Sequence, residues 1–154
     1  VHDVAVPLCL PWHFGERVEL VVEVQGGLPE ARIDERAFGL AVINLVDNAL
    51  KYATGTRVVR VSVGLEGAFA AVRVTDQGPG VLPEDRERIF ERFVRGTTAR
   101  LAGKPVRGSG IGLALVKHIA QSHGGRAWVE ENSARRGSTF VFTVALRGAG
   151  VRAQ

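Results

Sequence analysis

Apolar and polar positions alternate over RVELVVEV, residues 17–24, which predicts a half-buried strand. GGLPE follows as a turn, and Asp34 stands where a helix N-cap would. From Phe38 to Ala53 the apolar positions recur with helical period, until TGT at 54–56 ends the pattern. VVRVSVGL (58–65) and FAAVRVTD (69–76) read as two strands joined by a short loop holding Gly67. QGPG then turns the chain. Pro83 opens a charged segment, PEDRERIFERF, that reads as a helix. From Val94 to Gly108 no apolar period survives, which predicts a long basic loop. A further helix is expected over about 110–123, GIGLALVKHIAQSH, closed by the glycine pair behind it. RAWVEE and STFVFTVAL are the last two strands, and the tail GAGVRAQ is expected to fray.

These elements amount to about five strands and three main helices that do not alternate strictly. Consecutive strands suggest hairpins. The expected class is α+β, a two-layer sandwich with a mixed, mostly antiparallel sheet and its helices on one face.

Composition narrows the setting. A length of 154 residues suits one domain with a real core, and 45% hydrophobic with 23% charged residues excludes a disordered chain. Cys9 is the lone cysteine, so an internal disulfide and a thiolate metal cluster are excluded, and a reducing, cytoplasmic compartment fits. No apolar run approaches the roughly 18 residues of a membrane span. An anchor in an inner membrane would have to lie elsewhere in a parent protein. The chain has no methionine, even at position 1, which is expected of a piece of a longer polypeptide. The net charge is +4, yet basic residues interleave with acids. That favours a solvated surface over a nucleic-acid partner, and a mild positive bias suits an anionic phosphate.

NLVDNALKY (44–52) is the first stretch with chemistry. Asparagine is a poor helix former, because its amide competes for nearby backbone groups. On a helix, Asn44, Asn48 and Lys51 fall within about 60° of one another, at 100° per residue. Phe38, Val42, Leu45, Val46, Ala49 and Ala53 gather opposite them. Carboxamide oxygens are hard, neutral ligands for Mg, and lysine offers a point charge to a phosphate. Tyr52 flanks that surface. Two exposed asparagines on a surface helix would give the same pattern.

Two glycine motifs add to it. In DQGPG (76–80), Asp76 stands at the end of a strand, and its carboxylate suits an exocyclic amino group such as adenine's. Gly78 and Gly80 let backbone approach a flat ligand, although an ordinary β-turn reads alike. In GSGIGLAL (108–115), Gly108, Gly110 and Gly112 precede or open a helix whose N–H groups can meet an anion. The basic loop ahead, with Arg95, Arg100, Lys104 and Arg107, would serve as a lid over phosphates.

Asn-x-x-x-Asn-Ala-x-Lys-Tyr at 44–52, Asp-x-Gly-x-Gly at 76–80, Ile-Phe-x-x-Phe at 89–93, Gly-x-Gly-x-Gly-Leu at 108–113 and Gly-Ser-Thr-Phe at 137–140 occur in that order. The series resembles the N, G1, F, G2 and G3 boxes of the catalytic, ATP-binding domain of bacterial sensor histidine kinases. The resemblance runs from about residue 15 to 146. It implies a Bergerat-type α/β sandwich with a mobile ATP lid, and ATP and Mg as ligands. It further implies that Asn48 binds Mg with Asn44 assisting, both acting in catalysis with Lys51. Lys51 and Tyr52 would meet phosphates and the base or ribose. Asp76 would hold the adenine amino group above a floor shaped by Gly78 and Gly80. Phe90 and Phe93 would anchor the lid, and Arg95 would contact phosphate. Gly108, Gly110 and Gly112, with Leu113, would make room for phosphates, and Ser138 would reach adenine through water.

The implied domain spans 15–147, with 1–14 a linker remnant and 148–154 a flexible tail. Its partners would be the phosphoacceptor histidine domain of the same parent and a response regulator, the fragment being monomeric and the parent a homodimer. His2-Asp3 with Pro7 mimics a phosphoacceptor motif, but the prolines leave no room for a helical hairpin before the N box. His118 and His123 read as surface or core residues. A gyrase- or chaperone-type ATPase is a rival reading, but those relatives carry a water-activating Glu where this chain has Asn44. A non-catalytic nucleotide module and a serine-directed kinase are further alternatives.

Overall fold

The computed structural model describes residues 2–8, 18–52, 58–94, 110–131 and 137–147; the side chains of 2–8, 18 and 52 lie outside that description. Six strands form one sheet: β1 (His2–Leu8), β2 (Val18–Val24), β3 (Val58–Glu66), β4 (Phe69–Thr75), β5 (Ala127–Glu131) and β6 (Ser138–Ala145). Their spatial order is β1-β2-β3-β4-β6-β5. Every neighbouring pair is antiparallel except β2 and β3. A parallel pair needs a crossover, and helix α1 (Glu35–Tyr52) supplies it. Helix α2 (Gly112–Ser122) follows the lid segment.

The architecture is the expected α+β two-layer arrangement, with two departures. The segment from Pro83 is not a continuous helix but two short 3-10 turns, Pro83–Asp85 and Arg88–Phe90. Its apolar residues are too few for a buried helical stripe; Ile89 and Phe90 drop into the core side by side while Glu84, Glu87 and Arg88 stay exposed. The other departure is β1. His2–Leu8, assigned above to a linker remnant, adds an edge strand beside β2, with Val4 opposite Val22 and Val6 opposite Leu20. Pro7 disguises it in the sequence, since proline fits a strand only at an edge. The remainder of the linker segment and the tail at 148–154 lie outside the described residues.

Helix α1 begins as its sequence demands. The Asp34 carboxylate accepts hydrogen bonds from the N–H groups of Arg36 (3.0 Å) and Ala37 (3.1 Å), satisfying two donors of the first turn. Glu35 in the first turn and Lys51 in the last complement the helix dipole. One stripe, Ala41, Leu45 and Ala49, is fully buried. It meets the face of β3 and β4 that carries Val59, Val61, Val72 and Val74. Phe38 packs edge-on to Phe142 of β6, and Phe90 edge-on to Phe140, with centroids 5.4 and 6.4 Å apart. Helix α2 lies on β5 and β6 and along α1. Both helices thus share one face of the sheet, which leaves the polar stripe of α1 beside the N-terminus of α2.

Candidate functional site

Two chain segments far apart in sequence converge at the ends of β4 and β6. The Thr75–Thr139 pairing brings Asp76 beside Ser138, whose carbonyl accepts the Asp76 N–H at 3.0 Å. The Thr75 and Thr139 hydroxyls meet at 2.9 Å and tie the two strands just inside the site. Asp76 is 3% exposed and Ser138 equally enclosed. The Asp76 carboxylate accepts the Gly78 N–H at 2.8 Å, which folds the DQG turn back on itself. Burial raises the Asp76 carboxyl above its ordinary value, and hydrogen bonds from the Gly78 and Ser138 backbone work against that rise.

Gly137 makes this close approach possible. A Cβ at that position would stand 2.1 Å from the Asp76 carbonyl oxygen, and its φ is +139°. Gly80, at φ +82°, turns the other arm of the loop toward Gly137. Gly137 carries no role of its own in the sequence pattern. Its signal is the Gly-Ser step at the start of the last strand, which acquires meaning only once β6 is paired with β4.

The polar stripe of α1 faces the start of α2. Asn44 and Asn48 are half-buried. The Asn44 amide donates to the Leu40 carbonyl one turn back, at 2.8 Å. Its oxygen abuts α2, since a Cβ on Gly112 would sit 2.8 Å from it. Asn44 therefore acts as a spacer between the two helices, and Gly112 is the residue that lets them close. Lys51 pairs with Asp47 at 2.6 Å on the same helix. Such partly exposed i,i+4 pairs contribute about 0.3–0.5 kcal/mol, so a phosphate could displace Asp47 at small cost. Leu113 is half-buried and packs on the core.

The two ends of the lid segment are joined at its base. The Phe93 N–H donates to the Gly110 carbonyl at 2.9 Å, and Phe93 takes a positive φ of 64°. Gly110, at φ +71°, faces the Phe93 backbone so closely that a Cβ would lie 3.0 Å from its Cα. Arg95 and Gly108, and the lid between them, lie outside the described residues, as does the Tyr52 side chain.

The described residues contain no group of three or more His, Cys, Asp or Glu side chains able to hold a metal. A cation here would use amide oxygens and take its other ligands from phosphate and water, a donor set that fits Mg rather than zinc. Asn48 carries such an oxygen; Asn44 has its amide nitrogen engaged by Leu40 and its oxygen lying against Gly112.

A two-layer α+β domain whose strand end carries a buried carboxylate, beside an asparagine-faced helix and a glycine turn, belongs to the class of ATP-binding domains found in histidine kinases. Residues 33–148 match the family of histidine kinase-, DNA gyrase B- and HSP90-like ATPases, and the chain belongs to that family. The sensor-like histidine kinase SenX3 of Mycobacterium tuberculosis (strain ATCC 25618 / H37Rv) is 43% identical over 115 residues, 73% of this chain and 26% of that protein. The solved structure of the mycobacterial sensor histidine kinase MprB superposes with a TM-score of 0.65 at 30% identity, covering 83% of each chain. Full-length ShkA in complex with AMPPNP gives a TM-score of 0.66 at 30% identity, over 82% of this chain and 26% of that one. The chain spans about a quarter of the length of SenX3. It is an ATP-binding catalytic domain of the sensor histidine kinase type. No described helix is long and apolar enough to cross a membrane.

Proposed function

We propose that this domain binds Mg-ATP and presents the γ-phosphate to a histidine on a separate dimerisation domain of its parent protein, from which a response regulator takes the phosphoryl group. The observation that carries the reading is the buried Asp76 carboxylate, held by Gly78 and Ser138 at the mouth of a glycine-lined turn. A carboxylate so placed accepts an amino group and rejects a carbonyl, which selects adenine over guanine.

In this reading Asn48 supplies an amide oxygen to Mg, and Asn44 fixes the spacing of α1 and α2. Lys51 exchanges Asp47 for a phosphate oxygen. Tyr52 and Arg95 flank the nucleotide, and Ser138 completes the adenine pocket. Gly108, Gly110 and Gly112, carried by Leu113, leave space for the phosphates at the start of α2. Bound Mg supplies charge neutralisation on the phosphates. The protein contributes position, as phosphoryl transfer chiefly requires. With Asn at position 44, the wall lacks the carboxylate that would activate water there, which supports transfer to an imidazole over hydrolysis.

A rim of apolar side chains also favours a protein acceptor. Leu40 and Ile43 on α1, Ile111 at the head of α2 and Phe93 at the lid base are all exposed, Phe93 at 73% and Ile43 at 64%. The Asn44–Gly112 contact and the Phe93–Gly110 bond join the segments that carry them.

Calorimetric titration with a non-hydrolysable ATP analogue, with and without Mg, tests the reading. Mg-dependent binding and rejection of the GTP analogue are expected; equal binding of the two would remove the role given to Asp76. Asn48→Ala should weaken the Mg complex about tenfold or more, by analogy with the cost of disturbing a metal shell. Affinity unchanged within a factor of two would take Asn48 out of the Mg site.

A further inference from the structure

His123 has no place in the site just described, yet its ring joins the two helices that build it. Its Nε2 accepts the backbone N–H of Asp34 at 3.0 Å, and Asp34 is the cap of α1. Its Nδ1 lies 2.7 Å from the carbonyl oxygen of Ile119, one turn back on α2. Both partners are backbone groups, so their polarity is not negotiable. An N–H can only donate and a carbonyl can only accept. The ring is therefore neutral, with its proton on Nδ1. The same residue's carbonyl accepts the Ala145 N–H at 2.9 Å, which ties the junction to the end of β6. Ser122, 3.2 Å from Nδ1, donates its own hydroxyl to Ile119.

We infer that His123 is a positioning residue for the nucleotide site: its neutral Nδ1–H tautomer locks the C-terminus of α2 to the N-terminus of α1, and protonation releases that lock. An imidazolium carries a proton on both nitrogens. Nε2 would then face the Asp34 N–H donor to donor, and the bond is lost. The helices touch again at Asn44 and Gly112, where the spacing is set by one amide oxygen. The His123 bond and this contact hold the same two helices at opposite ends.

Charged groups stand on several elements around the ring. The head of α1 carries Asp34, Glu35 and Arg36, and Arg126 follows the ring on the way into β5. Arg32 and the Glu30–Arg147 pair lie on the segments beside it, and Lys117 and His118 on α2 itself. The Asp34 carboxylate is engaged in capping the Arg36 and Ala37 N–H groups, so a cation at His123 would compete with the cap for it. The dipole of α2 favours a cation at its C-terminus; the Asp34 N–H opposes it.

This inference rests on the proposed nucleotide site for its functional effect, but not for its structural content. The test combines two measurements on the 154-residue chain. Long-range nitrogen–proton NMR of the His123 ring reads its tautomer at pH 8. Titration with the Mg-bound ATP analogue at pH 8 and pH 5.5 compares the wild type with His123→Gln and His123→Ala. The ring should show the Nδ1–H form, and on acidification the affinity of the wild type should fall up to about tenfold further than that of His123→Gln, the most that one neutral hydrogen bond can carry. His123→Gln, which keeps an acceptor that does not titrate, should match the wild type at pH 8 within about twofold and keep only the pH dependence that the remaining groups, Asp76 among them, impose. His123→Ala should be weakened at both pH values. An Nε2–H tautomer, or the same pH profile in wild type and His123→Gln, would overturn the proposal. If the wild type binds no nucleotide at any pH, the proposed function fails instead. The tautomer and the pH dependence of urea unfolding, wild type against His123→Gln, would then still decide the lock.

Discussion

Asp76→Asn lowers affinity for an adenine nucleotide between about tenfold and a hundredfold while the domain stays folded. The lower bound is the loss of one charge-assisted hydrogen bond at the weak end of its range, about 1.5 kcal/mol. The upper bound follows because the new amide can present N–H groups to the adenine amino group, donor against donor. Folding should suffer little, since the carboxylate is costly where it lies. At 3% exposure its charge is desolvated, and burial outweighs the hydrogen bonds from Gly78 and Ser138. The folded protein therefore holds the Asp76 proton to higher pH than the unfolded chain. Its contribution to stability is full below the ordinary value of 3.8 and is lost as pH rises through the raised folded value. Urea unfolding of wild type and Asp76→Asn across the acid range should show the wild type losing ground to the variant over that window and holding a constant difference above it. Parallel curves, or an unchanged affinity by calorimetry, would mean that the carboxyl is neither desolvated nor aimed at the nucleotide.

Gly137→Ala should remove about 3 kcal/mol or more of folding stability, in the range reserved for backbone strain and overpacking. The added carbon would lie 2.1 Å from the Asp76 carbonyl oxygen and 2.8 Å from the Gln77 Cα. Both are backbone atoms, so no side chain can swing aside. The φ of +139° adds strain to any residue with a Cβ. Gly80→Ala makes the useful contrast. Its Cβ would meet the Gly137 carbonyl at 3.5 Å, an ordinary contact, and only the positive φ is penalised, at about 1 kcal/mol. Gly125→Ala, whose Cβ would fall 1.9 Å from the Thr143 carbonyl, should be as damaging as Gly137→Ala but for a reason remote from the turn at Asp76. Urea midpoints for the three variants check the order. Gly137→Ala within about 1 kcal/mol of wild type would show that β6 does not approach the DQG turn as described.

The carboxylate and its turn were legible in part. A strand that ends in Asp followed by Gly-x-Gly announces an acceptor beside permissive backbone, and Asp76 and Gly80 lie there in the structure. The helix of asparagines was legible more fully. Asp34 caps it, Leu45 and Ala49 are buried as the period places them, with Ala41 joining them in place of Val42 and Val46, and Asn44 and Asn48 lie half-buried at the flank of that stripe. The reading failed where local pattern carried little information. Pro7 masked an edge strand, and the charges of PEDRERIFERF imitated a helix that lacks an apolar stripe. His123 looked like a surface or core residue because a histidine at a helix end says nothing of the backbone it will meet.

Local periodicity and capping, which act over four residues or fewer, were enough to set α1, α2 and five of the six strands, and the order of the motifs was enough to suggest the class of domain. The pairing of β4 with β6 was not. It joins positions 64 to 76 residues apart, from Thr75–Thr139 to Phe69–Ala145, and it puts Gly137 and Ser138 against Asp76. The packing of α1 on α2 likewise turned two separate motifs into one wall, through the contact of Asn44 with Gly112 and the bond from Asp34 to His123. Those contacts were decided by tertiary structure, because hydrogen bonds and close packing between distant segments depend on where the sheet carries them and not on any spacing along the chain.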